Sequence, residues 1–265
     1  MRRIFSSILF LALATLSMHG YSQQKSVYNY FEAFGPNFYT TDGTMYRAAS
    51  GKPGPAYWQN AANYTIKATL DDKQDKITGK VQIEYTNNSP EDLDFLWFQL
   101  DQNLFKNNSI GQAAIPLTDS RYGSSSSNFQ GGYRLANIQV NNAPNTSHTI
   151  TDTRMRINLA EPLKAKGGRV TIHMDFEFDI PEHGADRTGI LTRENGKIYA
   201  IAQWYPRVCV FDDILGWNTH PYTGPGEFYL EFGNFNVEIT APADHIVVLG
   251  GELLNPSEVW TSTQL

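Results

Sequence analysis

Cysteine is the scarcest residue here: one, Cys209, in 265 residues. A single thiol makes no disulfide framework, and no Cys-x-x-Cys zinc site can be built from it. Positive charge is short as well. Lys and Arg number 21 against 27 Asp and Glu, for a net charge of −6. That is the wrong sign for a chain that holds nucleic acid or an anionic membrane by bulk attraction. The histidines are His19, His148, His173, His183, His220 and His245, and no two lie within four residues. A helical zinc pair therefore has no local basis. Gly-x-Ser-x-Gly and a phosphate-cradling glycine loop are also absent.

What is present belongs to a folded chain: 41% apolar and 13% aromatic residues, with 18% charged. A disordered chain carries fewer apolar and aromatic groups. The length suits one large domain or two small ones with ample core material.

Residues 1–22 read as a signal peptide. Arg2 and Arg3 precede the apolar run Ile8–Leu16, and Gly20 and Ser22 supply small residues where a signal peptidase reads. The run is short for a bilayer span, the alternative being a retained anchor. No Cys follows it, which excludes lipoprotein attachment. The expectation is an exported protein, periplasmic or extracellular, with no membrane span in the mature chain. Cys209 would then sit unpartnered in an oxidising space, which argues for burial in a strand.

Residues 23–56 mix aromatics with Gly and Pro and read as an irregular N-terminal arm. From Tyr57 the period is two. Tyr64, Ile66, Ala68 and Leu70 alternate with polar residues, Asp71–Lys76 interrupts, and Val81, Ile83 and Tyr85 resume, which predicts a hairpin with one wet face. Asn87-Asn88-Ser89-Pro90 is a turn by chemistry. Leu93, Phe95–Phe98 and Leu100 predict a strand covered on both faces. Ser120–Gly132 predicts a mobile loop. Further strands are expected at Leu135–Val140, Met155–Leu159 and, most clearly, Val170–Ile180. Ile198–Trp204 and Val208–Phe211 read as a pair broken by Pro206. Phe228–Phe232, Phe235–Ile239 and Ile246–Leu249 close the series. Gly233-Asn234 is either a hairpin turn or a bulge. The fold class is all-β, two antiparallel sheets packed face to face with long loops, a large β-sandwich. Ser257–Leu265 ends without a cap or terminal strand partner, as in a chain cut short.

Candidate chemistry is sparse. His173 falls on the polar face of a strand, where exposure is the simpler reading. Asp212-Asp213 reads as a solvated turn before Gly216. Glu227, in Gly224-Pro225-Gly226-Glu227-Phe228, either binds a cationic group or marks entry to a strand. Ala202-Gln203-Trp204-Tyr205-Pro206-Arg207 is the densest mixture of polar and aromatic groups. Strand alternation would place Gln203 and Tyr205 on one face, where an amide and a phenol can accept hydrogen bonds from an ammonium ion. The other reading is an aromatic sheet with satisfied polar tips.

The ordered landmarks carry a resemblance. Gly79-x-Val81-x-Ile83-x-Tyr85-x-Asn87-Asn88-Ser89-Pro90, with Leu93, Leu96, Phe98-Gln99-Leu100 and Asn103, resembles the opening of aminopeptidase-N-type (gluzincin) zinc metallopeptidases. Ala202–Arg207, with Asp212 beyond it, looks like that family's Thr-Gln-x-Glu segment. Phe235-x-Val237-x-Ile239-x-Ala241-Pro242 and Gly250-Gly251-Glu252-Leu253 resemble the strand and turn that close the same domain. The match covers Tyr57–Leu254.

The resemblance implies a saddle-shaped N-terminal β-domain over residues 57–254, with 255–265 beginning the segment toward a missing downstream catalytic domain. In the family that second domain carries His-Glu-x-x-His, a downstream Glu and Gly-x-Met-Glu-Asn. None of these occurs here, so this polypeptide is expected to bind no zinc and cleave nothing alone; zinc belongs to the full-length enzyme. By position Gln203 matches the family's Gln. Tyr205 stands where the family has a Glu or Gln that helps bind the peptide substrate N-terminus. Both are implied substrate-binding residues; catalytic and metal residues are none. The function implied is the non-catalytic domain of an exported zinc aminopeptidase. The alternatives are an exported carbohydrate-binding β-sandwich module using Trp58, Trp204 or Trp217, and a structural or adhesion module.

Overall fold

The computed structural model describes residues 29, 43–114, 129–182, 187–224 and 229–263. Residues 1–22, expected to be a signal peptide, most of the expected arm, residues 120–128 of the expected loop, His183 and Pro225–Phe228 with Glu227 lie outside them. The chain forms two units, Met1–Gly54 and Pro55–Leu265. In the first, Arg47 and Pro53 bridge a small loop.

The described residues of the second unit form fourteen strands: β1 (Ala61–Asp71), β2 (Lys76–Asn87), β3 (Leu93–Gln99), β4 (Arg134–Val140), β5 (Ala143–Pro144), β6 (His148–Thr151), β7 (Arg154–Leu163), β8 (Gly168–Asp179), β9 (Gly189–Arg193), β10 (Gly196–Ala200), β11 (Arg207–Val208), β12 (Phe211–Asp212), β13 (Gly216–Trp217) and β14 (Phe235–Thr240). Among the described residues helix is confined to a 3-10 turn over Asp101–Phe105 and two short pieces, α1 (Ile110–Ala114) and α2 (Pro256–Val259).

Two sheets dominate. A six-stranded sheet runs β14-β1-β2-β8-β4-β5, and a four-stranded sheet runs β11-β3-β7-β6. Alternation explains why they pack. Ile66, Val81, Ile83, Ile172, Met174 and Phe178 of the larger sheet and Leu96, Phe98, Met155 and Ile157 of the smaller are almost fully buried in one core. Their neighbours along each strand face outward. The expected β1–β2 hairpin is present, from Ala61 opposite Thr86 to Asp71 opposite Lys76. The Val170–Ile180 alternation appears as β8, paired along its length with β2. On β3 the face away from the core carries half-buried Phe95 and Trp97, and the Arg156 guanidinium lies 3.9 Å from the Phe95 ring centre.

Four details differ from the sequence expectation. First, β14 joins β1 in parallel, so the larger sheet is not wholly antiparallel. Second, Gly233-Asn234 is neither hairpin turn nor bulge. Phe232 bridges Ala61 and Phe235 pairs with Tyr64 in the same parallel register. A Cβ on Gly233 would come within 1.7 Å of the Ala62 carbonyl oxygen, so only glycine lets the backbone this close.

Third, Ile198–Trp204 does not pair with Val208–Phe211. Instead β10 pairs with β9 and β11 pairs with β3. The chain leaves strand geometry after Ala200, Gln203 has a φ of 48°, and Pro206 has no N–H for a ladder. Fourth, Ile246–Leu249 is not a strand. Its residues lie open, Val248 at 87% exposure, with no sheet partner among the described residues.

Candidate functional site

The segment 201–207 is positioned from beneath by buried polar groups. Directly after β3 the 3-10 turn directs three polar residues inward, and Asp101, Gln102 and Asn103 are all buried. Such residues are tolerated only if hydrogen-bonded. Gln102 Nε2 donates to the carbonyls of Ala202 (2.9 Å) and Gln203 (3.2 Å). The Tyr133 hydroxyl donates to the Gln203 carbonyl at 3.1 Å. Thr188 Oγ1 accepts from the Ala202 N–H at 3.2 Å and donates to its carbonyl at 3.3 Å. Arg207 donates to Asp101 Oδ2 through Nε at 3.0 Å and through Nη2. Finally the Val208 N–H donates to the Tyr64 hydroxyl at 3.0 Å.

This frame acts on backbone and on Arg207, not on the two side chains the sequence singled out. Neither Gln203 nor Tyr205 makes a side-chain hydrogen bond to a described residue. Both are half-buried. Strand alternation cannot relate them, because residues 201–206 are not a strand; the left-handed backbone at Gln203 resets the direction of its side chain.

Tyr205 sits edge-on to three rings: Trp204 at 5.2 Å, Tyr64 at 5.5 Å and Phe235 at 5.9 Å between centres. Burial pushes its phenol above the ordinary tyrosine range, while nearby Arg207 opposes the rise. The phenol is thus a neutral hydrogen-bonding group near neutral pH. Burial also raises the Asp101 carboxyl, again opposed by Arg207.

The other candidates resolve into structure. Asp212 Oδ1 accepts from the N–H groups of Ile214 and Leu215, which makes it the organiser of a turn. His173 lies half-buried on β8 opposite Gln82 and Gln139. Trp58 stacks on Phe211, Trp204 packs on Phe176 and Tyr205, and Trp217 packs on Tyr85, Phe95 and Phe211. All three rings proposed for sugar stacking are engaged internally. Cys209 is buried and bridges Leu230, and burial pushes its thiol up to about 12. Among the described residues no three His, Cys, Asp or Glu side chains gather closely enough to hold a metal ion. No helix among them is long and apolar enough to cross a membrane.

Asp101, Gln102, Tyr133 and Thr188 were not singled out by sequence. Asp101 and Gln102 adjoin the Leu100 and Asn103 landmarks, but nothing in their spacing says that a 3-10 turn will bury them.

No family model and no curated protein matches the chain. Among solved structures it is similar to an M1 zinc metallopeptidase from Deinococcus radiodurans bound to a Tyr-Ser-Ala substrate, with 13% identity, a TM-score of 0.36, and 72% of this chain and 35% of that one covered. It is also similar to Legionella pneumophila aminopeptidase A in complex with aspartic acid, with 11% identity, a TM-score of 0.35, and 68% and 16% covered. The chain spans about a third of the length of the Deinococcus enzyme.

Proposed function

We propose that this chain is the non-catalytic N-terminal β-domain of an exported zinc aminopeptidase, and that Gln203 and Tyr205 line the place where a peptide's N-terminal amine is held. One observation carries the reading. Buried Gln102, Tyr133, Thr188 and the Asp101–Arg207 pair fix the backbone of 202–207, while the Gln203 amide and Tyr205 phenol have no hydrogen-bonding protein partner among the described residues. A rigid backbone with uncommitted polar side chains is what ligand contact requires. The ordered landmarks from Gly79 to Leu253 support the same reading. So does the exposed apolar run of Ile246, Val248 and Leu254, which suits a covering domain.

In this role the phenol and amide accept hydrogen bonds from an ammonium group without adding charge. Zinc and its ligands would lie on the downstream catalytic domain, and this domain contributes orientation to the cleft. The test begins with the codons after that for Leu265. A His-Glu-x-x-His sequence within the following domain is the expected result, and a frame that stops at Leu265 overturns the reading. The purified 265-residue chain should leave aminoacyl-chromogenic substrates intact; zinc-dependent turnover by it would equally overturn the assignment.

A further inference from the structure

The β9–β10 hairpin turns through Glu194-Asn195, with Arg193 opposite Gly196 where the strands rejoin. Residues 191–198 are all exposed, so the turn stands in solvent. Asn195-Gly196 is the one Asn-Gly pair in the sequence. The Asn195 amide makes no hydrogen bond to a described residue. Other asparagines near turns are committed. Asn88 Nδ2 donates to the Gln59 carbonyl at 2.8 Å, Asn137 Nδ2 donates to Asp175 Oδ2 at 2.7 Å, and Asn141 Oδ1 accepts the Thr171 N–H at 3.0 Å. Gly196 adds room beside the free amide. Its φ is 126°, and nothing lies within 4 Å of where its Cβ would stand.

A carboxamide one residue ahead of glycine is open to attack by the next backbone nitrogen, because no side chain shields that nitrogen. The Gly196 nitrogen bonds to Asn195 Cγ, the Cγ–Nδ2 bond breaks, and ammonia leaves with the nitrogen's proton. A cyclic imide remains, and water opens it at either carbonyl. Opening at Cγ leaves aspartate. Opening at the backbone carbonyl leaves isoaspartate, in which the main chain runs through the former side chain. Nothing is oxidised or reduced, and water is the only co-reactant.

We propose that Asn195 is a site of spontaneous deamidation in the folded protein, and that its isoaspartate product loosens the hold of β10 on the β1–β2 turn. The inference is independent of the aminopeptidase reading. Isoaspartate adds one methylene to the backbone of a turn whose length sets the pairing of Arg193 with Gly196. Strand β10 carries the contacts at stake. Lys197 Nζ donates to both carboxylate oxygens of Asp75, at 2.6 and 2.8 Å, and the Tyr199 hydroxyl donates to Asp75 Oδ1.

Ageing the purified 265-residue chain in mildly alkaline buffer, followed by peptide mapping, tests it. The peptide containing position 195 should gain the mass difference between water and ammonia about tenfold faster than any peptide holding a different asparagine. The native chain should react within about tenfold of the rate of the urea-unfolded chain, since the fold leaves this turn open. Asn195→Gln should remove the acidic variant that the parent accumulates on ion exchange. Its melting temperature should stay at that of the parent, because the side chain is exposed. Amide hydrogen exchange at residues 197–199 should be about threefold or more faster in the isoaspartate fraction than in fresh protein, and unchanged in aged Asn195→Gln. Loss at Asn195 no faster than at other asparagines, protection by folding beyond about tenfold, or an isoaspartate fraction that exchanges like fresh protein overturns the proposal.

Discussion

Arg207 reaches across 106 residues of sequence to place its Nε and Nη2 on a single carboxylate oxygen of Asp101, both side chains being at least nine-tenths buried. The bond ties β11 to the 3-10 turn that also holds Gln203 from below. Removing one partner of such a pair leaves a charge in the core, at a cost of roughly 3–5 kcal/mol, whereas replacing both by apolar groups is far milder. Arg207→Met should therefore lower the urea midpoint strongly, and Asp101→Leu combined with Arg207→Met should recover at least half of the loss. A single-mutant cost under about 1 kcal/mol would mean water reaches the pair.

Gly233 tests the parallel junction between β1 and the run entering β14. A methyl group there would meet the Ala62 carbonyl oxygen and carbon at 1.7 and 2.4 Å, both backbone atoms that cannot rotate aside. Gly233→Ala should force the strands apart and cost about 1–3 kcal/mol in denaturant unfolding. Gly250→Ala is the control, because nothing lies within 4 Å of a Cβ at that position, and it should be near neutral.

The sandwich was legible wherever one face of a strand is wet. Ile66, Ile83 and Ile172 announce their strands because the residues between them are polar, and burial is the cause of that alternation. The β9–β10 hairpin was missed: the loop Glu194-Asn195 and Gly196, which has a φ of 126°, are turn chemistry, but the sequence reading pairs the strand after them with Val208–Phe211 instead. Ile246–Leu249 misled because four apolar residues in a row carry no period and specify no partner. The frame beneath Gln203 was not legible at all. The 3-10 turn with Asp101 and Gln102, Tyr133 and Thr188 come from three separate stretches of sequence, and only the tertiary fold brings them to one backbone segment.

Glu231 gives the fold a pH dependence. Its carboxyl is buried, accepts the Phe211 N–H at 3.2 Å and lies near Asp212; burial, with that second negative charge, raises it from 4.5 to about 7. The folded state thus holds this proton more tightly than the unfolded chain does. Its contribution is full below about pH 4.5 and is lost as pH rises through about 7. Denaturant unfolding should find the protein less stable at pH 8 than at pH 5 relative to Glu231→Gln, by up to roughly 3 kcal/mol. Parallel pH profiles for the two proteins would show that Glu231 remains hydrated.

Gln203 and Tyr205 carry the last expectation, which rests on the proposed aminopeptidase and is measured on the full-length protein. If they hold the substrate's amine in ground and transition states alike, their loss is a loss of uniform binding, which raises KM and leaves kcat in place. Gln203→Ala and Tyr205→Phe should each raise KM for an aminoacyl substrate by roughly 3–10-fold, the worth of one neutral hydrogen bond. Tyr205→Glu should act oppositely, because a carboxylate adds charge attraction to an ammonium, and so should lower KM above the carboxylate's own pKa. Since Tyr205 also packs against Tyr64, Trp204 and Phe235, the phenylalanine variant keeps the ring and isolates the hydroxyl. Unchanged steady-state kinetics in both Gln203→Ala and Tyr205→Phe would assign the two side chains to packing alone.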